Sequence, residues 1–126
     1  MLDSINFYSP DATQTNVGDG LRELRVFEDQ KFSVVCEVPQ TNPDSAVNVY
    51  IDSKALSPIR IETKSIDSKP PIRIYHYEIA ATRLMHRTII KCDAKMLGLQ
   101  PNVSIKSQMT KLFLINVYCK LNNYFA

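Results

Sequence analysis

RTIIKCDA, Arg87 to Ala94, reads as a β-strand with a cysteine on its apolar face: Thr88, Ile90, Cys92 and Ala94 recur at period two. KFSVVCEV, Lys31 to Val38, repeats the pattern with Phe32, Val34, Cys36 and Val38. Two strands that each aim a cysteine inward, 56 positions apart, suggest two sheets stapled through a shared core. Two buried free thiols would fit the same pattern, because free cysteine is itself a comfortable core residue.

Similar runs recur along the chain. They are LRELRVF (21–27), AVNVYID (46–52), PIRIETK (58–64), IRIYHYEIAA (72–81) and KSQMTKLFLINVY (106–118). Turn-rich connections separate them, among them EDQ, PQTNPDS and SIDSKPP. About seven short strands with regular turns predict an all-β sandwich. IAATRLMH (79–86) is rich in helix formers but too short for more than one turn of helix within a connection. IDSKALSPIRI (51–61) is echoed by IDSKPPIRI (66–74), a chance likeness of two strands in one hairpin rather than a repeat architecture. Residues 1–19 read as a flexible lead-in with one edge strand around Ile5 to Tyr8, residues 20–118 as the domain, and residues 119–126 as a tail.

The bulk composition narrows the function. The 126 residues suffice for one domain with one sizeable core. Hydrophobic residues make up 44% and charged residues 22%, as in an ordinary soluble protein. The net charge of +2 comes from 15 basic and 13 acidic residues dispersed along the chain, which argues against a nucleic-acid surface. Three glycines leave no room for a Gly-rich phosphate cradle. No apolar run approaches the roughly 20 residues that span a bilayer, so this segment does not insert into a membrane. The first residues lack the basic start and apolar stretch of a signal peptide, which fits either an intracellular protein or a mature fragment.

The order KFSVVCEV, VNVYIDSKAL, YHYEI, RTIIKCDA and TKLFLINVY resembles strands B, C–C′, E, F and G of an immunoglobulin domain, over roughly residues 20–118. The resemblance implies a two-sheet antiparallel Greek-key sandwich of seven to eight strands, with Cys36 and Cys92 at the positions of the family's B–F disulfide. It departs from the pattern twice. The chain has no Trp, and Val49 occupies the strand C slot where the family carries one; Ile90 stands at the tyrosine-corner position. HRTIIKCDA is more similar to C2-type or I-type domains of adhesion receptors.

What the resemblance implies about function is a non-enzymatic recognition module, an extracellular cell-adhesion or receptor domain that binds another protein through a sheet face or its loop tips. An intracellular structural domain of a scaffold protein is the alternative, and a secreted decoy is a third. No cofactor is expected. The chemistry is sparse: His76 and His86 are the only histidines, there is no CxxC or HxxxH spacing for a metal, and the carboxylates form no paired motif. If Val49 faces inward, Tyr50 faces outward beside Ile89, Lys91 and Asp93, a mixed patch of the kind found in interfaces; a solvated sheet face with one ordinary aromatic is the plainer reading. Self-pairing across this patch, giving a homodimer, is the most specific version. The F–G connection is apolar for a hairpin tip, and Met96, Leu97 and Leu99 are further contact candidates unless they tuck back over the sandwich end. Asn102-Val103-Ser104 is a glycosylation sequon in that connection. Cys119 is the odd cysteine, either a free thiol or half of an intermolecular bridge.

Overall fold

The computed structural model describes residues 5–16, 18, 20–40, 45–65, 67, 69–96, 108–119 and 124–125. They form a two-sheet sandwich of eleven strands in chain order: β1 (Asn6–Tyr8), β2 (Thr13–Asn16), β3 (Arg22–Phe27), β4 (Lys31–Pro39), β5 (Ser45–Ile51), β6 (Lys54–Leu56), β7 (Arg60–Lys64), β8 (Ile72–Ala80), β9 (Ile89–Met96), β10 (Gln108–Cys119) and β11 (Tyr124–Phe125). One sheet runs β1-β4-β8-β7 and the other β2-β3-β10-β9-β5-β6, with β11 against β10. The chain crosses between the sheets after β1, β3, β4, β6 and β8, so the pairs β1-β4, β4-β8, β3-β10 and β5-β9 join strands that are not consecutive in the chain.

The expected sandwich is therefore present, with two differences. The short strands β2, β6 and β11 raise the number above seven to eight. The ladder is not wholly antiparallel, because β3 runs parallel to β10, from Glu23 opposite Leu114 to Phe27 opposite Tyr118. The cause lies in the lead-in. After β1 pairs with β4, the chain changes sheets through Ser9–Ala12, and the β2–β3 hairpin brings β3 onto the open edge of β10. Ser9 fixes the change of sheet: its hydroxyl donates to the Ser33 carbonyl at 2.5 Å and accepts from the Ala12 N–H at 3.1 Å.

Alternation of residue types decides what is buried. Phe32, Val34, Cys36 and Val38 of β4 and Ile90, Cys92, Ala94 and Met96 of β9 face the core, joined by Tyr75, Tyr77 and Ile79 of β8 and Phe113, Ile115 and Val117 of β10. Cys36 and Cys92 are bonded as a disulfide between the sheets. The aromatic mass that a strand C Trp would supply comes from elsewhere: Phe7 of β1 lies tilted against Phe113 at 5.4 Å between ring centroids. The core thus begins with Ile5 and Phe7, ahead of residue 20. Burial pushes the Tyr77 hydroxyl up to about 12, with Tyr75 adding to the effect, so the phenol stays neutral in the core. Residues 79–86 hold one 3₁₀ turn at Arg83–Met85. His86 follows it, and its Nδ1 accepts from the Val117 N–H at 3.0 Å, prolonging the ladder beyond the start of β9.

Candidate protein-interaction face

The outer surface of the larger sheet is laid out by three registers. Val49 is opposite Cys92 and Leu56, and Tyr50 is opposite Lys91 and Ala55. Lys91 is opposite Leu112 in β10, and Ile89 is opposite Leu114. Because side chains alternate along a strand, the buried Val49 and Cys92 place Tyr50, Ile89, Lys91 and Leu112 together on the outside. The expected register of β5 is the observed one.

Tyr50 is half-buried at the head of this face. The Lys91 ammonium lies 5.6 Å from its ring centroid, near enough for a cation–π attraction. A hollow of about 160 Å³ is lined by Tyr50, Asp52, Ser53, Ile89 and Lys91. Asp52 and Ser53 form the two-residue turn between β5 and β6, both with positive φ, at 48° and 74°. The Asp52 N–H donates to the Ile89 carbonyl at 3.1 Å, which ties the turn to β9 and sets the floor of the hollow.

Asp93 lies on the same face but is already engaged. Its carboxylate accepts from Gln108 Nε2 at 3.0 Å and 3.3 Å and from Thr110 Oγ1 at 2.9 Å. Sequence reasoning missed Leu112, which remains 37% exposed beside Lys91. It was readable in principle, because Phe113, Ile115 and Val117 at period two force Leu112 outward. Further along, Phe27 is 42% exposed and stacks at 6.0 Å on Tyr118, so the apolar surface continues across β10 to β3. Between the two stretches, Glu23 is buried and its carboxylate accepts from Arg25 Nε at 2.8 Å.

Met96 does not lie in the F–G connection. It is the last residue of β9 and, at 4% exposure, part of the core, because it continues the inward series 90, 92, 94. Leu97, Leu99 and Asn102 fall outside the described residues, as does the side chain of Cys119, whose backbone closes β10 opposite Tyr124. His76 is on the outer face of the other sheet, its Nε2 2.5 Å from Glu62 Oε1. Among the described residues no group of three or more His, Cys, Asp or Glu is placed to hold a metal ion, and no helix is long and apolar enough to cross a membrane.

No protein-family model matches the chain, and no curated protein does. Solved structures do resemble it. The full ectodomain of mouse nectin-like molecule 4, Ig1–Ig3, superposes with a TM-score of 0.58 at 14% identity, over 90% of this chain and 33% of that one. Rst D1–D2 superposes with a TM-score of 0.59 at 14% identity, over 86% of this chain and 49% of that one. The chain therefore spans a third to a half of the length of these two solved chains. With β1, β4, β8 and β7 matching the A, B, E and D sheet, β3, β10, β9, β5 and β6 matching A′, G, F, C and C′, and the disulfide joining B to F, the chain folds as an immunoglobulin-like domain.

Proposed function

We propose that this domain is a protein-recognition module of the adhesion or receptor kind, displayed outside the cell, which binds another protein through the outer face of β5, β9 and β10. The observation that carries the reading is the half-buried Tyr50, held beside Lys91 over a hollow and continuous with Ile89 and Leu112. A fixed aromatic ring offers large contact area at little further entropic cost, and an aliphatic floor with a cationic rim is the make-up of an interface centre. The Cys36–Cys92 disulfide suits an oxidising compartment, and one structural neighbour, nectin-like molecule 4, is a full ectodomain of three Ig domains. The intracellular scaffold reading would leave these two cysteines reduced.

Tyr50 is the anchor in this reading, Ile89 and Leu112 its apolar surround, and Lys91 the charged rim. Asp93 steadies β9 against β10 through Gln108 and Thr110 rather than reaching a partner. The test is an array of cell-surface ectodomains other than this domain, probed with a tetramerised form of the chain. Tyr50→Arg should abolish the hits and shift stability by no more than about 0.5 kcal/mol, as expected of a surface position. Glu78→Arg, on the outer face of β8 in the other sheet, should leave them in place. Hits that survive Tyr50→Arg would move the binding site off this face.

A further inference from the structure

The smaller sheet ends in an open edge at β7. All five residues of β7 are exposed, and among the described residues no strand pairs with its outer side. Natural edge strands are blunted by proline, a bulge, a covering loop, short length or charged side chains, because their open N–H and C=O groups template further pairing. β7 is short and charged, but its charges are of both signs, Arg60 and Lys64 about Glu62, and so can pair with a second copy instead of repelling it. Between Arg60 and Lys64 there is no proline. Ile59, just before β7, and Ile61, near its centre, are 64% and 54% exposed. Arg60 and Glu62 flank Ile61 on the opposite face of the strand, with Arg60 Nη2 3.1 Å from Glu62 Oε1.

The order Arg60-Ile61-Glu62 is self-complementary. When two copies of a strand join edge to edge about a two-fold axis, facing residues must project to the same side, so the axis passes through one residue and its own copy. An axis at Arg60 sets two guanidinium groups against each other. One at Glu62 opposes two carboxylates and sets Arg60 against Lys64 of the second copy. One at Thr63 pairs Glu62 with Lys64 but leaves Ile61 facing Ser65. Only the axis at Ile61 combines charge matching with apolar contact. There each Arg60 faces Glu62 of the other copy, Ile61 meets Ile61, and Ile59 lies opposite Thr63.

We infer that β7 is a β-augmentation site for a second copy of this chain, joined antiparallel about a two-fold axis at Ile61 so that the two four-stranded sheets become one. The occupant follows from the charge pattern, which no other two-fold register satisfies together with the isoleucine contact. Main-chain hydrogen bonds provide the attraction and the two Arg60–Glu62 pairs set the register. A seam this short buries less surface than a stable dimer needs, so the association is weak in solution and strengthened where many copies stand side by side. It uses the opposite sheet from Tyr50 and does not depend on the recognition reading.

Sedimentation equilibrium of the purified chain up to about 1 mM, the range of weak association, tests the inference. Wild type should self-associate, and Tyr50→Arg should leave this unchanged. Arg60→Glu and Glu62→Arg should each raise the dissociation constant about tenfold, since each turns two attractive cross-strand pairs into repulsive ones. Mixed in equal amounts, the two variants should recover the wild-type association, because Glu at 60 of one then faces Arg at 62 of the other. Ion pairs within one chain cannot produce that recovery. A monomeric wild type at the highest concentration, or a mixture that associates no better than its components, would overturn the inference.

Discussion

Val49 carries more structural consequence than its size suggests. It sits fully buried in the middle of β5, opposite Cys92 on one side and Leu56 on the other. A carboxylate there would be desolvated against the disulfide with no cationic side chain among its cross-strand neighbours. Val49→Asp should therefore prevent folding, whereas Val49→Ala should cost only about 1–3 kcal/mol for the lost methyl groups and the cavity. Circular dichroism and thermal melts of the two variants check this pair of outcomes; a folded Val49→Asp would mean that β5 has slipped by one residue. The inward placement of Val49 was legible because its slot is fixed by distance from Cys36 and by alternation. Met96 departs from the expectation for a related reason: RTIIKCDA ends at Ala94, and the next inward term of its alternation is Met96.

At the scale of elements, the long strands were readable, as were β1 around Ile5 to Tyr8 and β7 within residues 58–64, but β2, β6 and β11 were not. β4, β8 and β9 announce themselves through two-residue periodicity over eight or nine residues. β2 is TQTN, without an apolar position, and β6 is only KAL, so neither carries a pattern of its own. The parallel pairing of β3 with β10 joins segments 91 positions apart, as Leu114 with Glu23, and leaves no local trace. The turn before β6 was hidden by its residues. Asp52 and Ser53 are both left-handed, the conformation of a type I′ hairpin turn, for which Asn-Gly or Asp-Gly is the usual signal. Serine at the second position keeps a Cβ in a region that suits glycine. Ser53→Gly should relieve that strain and raise stability by about 0.5–1 kcal/mol, a few degrees in Tm, net of the entropy glycine adds to the unfolded chain. Because Ser53 also lines the hollow below Tyr50, partner binding measured on the same variant separates turn strain from recognition. A lower Tm would show that the serine side chain, not the backbone conformation, holds the turn.

For the molecule as a whole, the two sheets are held by one continuous apolar core crossed by one covalent bond. Periodicity tells which side of each strand faces in, but not the order of strands in a sheet; that order was legible only through the family resemblance carried by the two cysteine strands. The disulfide joins residues 56 apart, β4 of the smaller sheet to β9 of the larger. Closing a loop of that length restricts the unfolded chain by about 4 kcal/mol in the entropy model, against about 5–15 kcal/mol for the entire stability of an ordinary domain. The packing itself asks little of the bond, since both cysteine positions are fully buried among aliphatic and aromatic side chains and alanine fits there. The Cys36→Ala/Cys92→Ala variant should thus keep the native sheet pairing while losing about 4 kcal/mol, slightly more where small cavities replace sulfur. Urea titrations should show the midpoint falling and the slope rising, because the uncrosslinked denatured chain exposes more surface, and reductant should bring wild type to the same midpoint and slope while leaving the variant unmoved. A wild type indifferent to reductant would mean that the bridge does not form in solution. The domain would then rest on its apolar core alone, and the case for an oxidising compartment would fall with the bond.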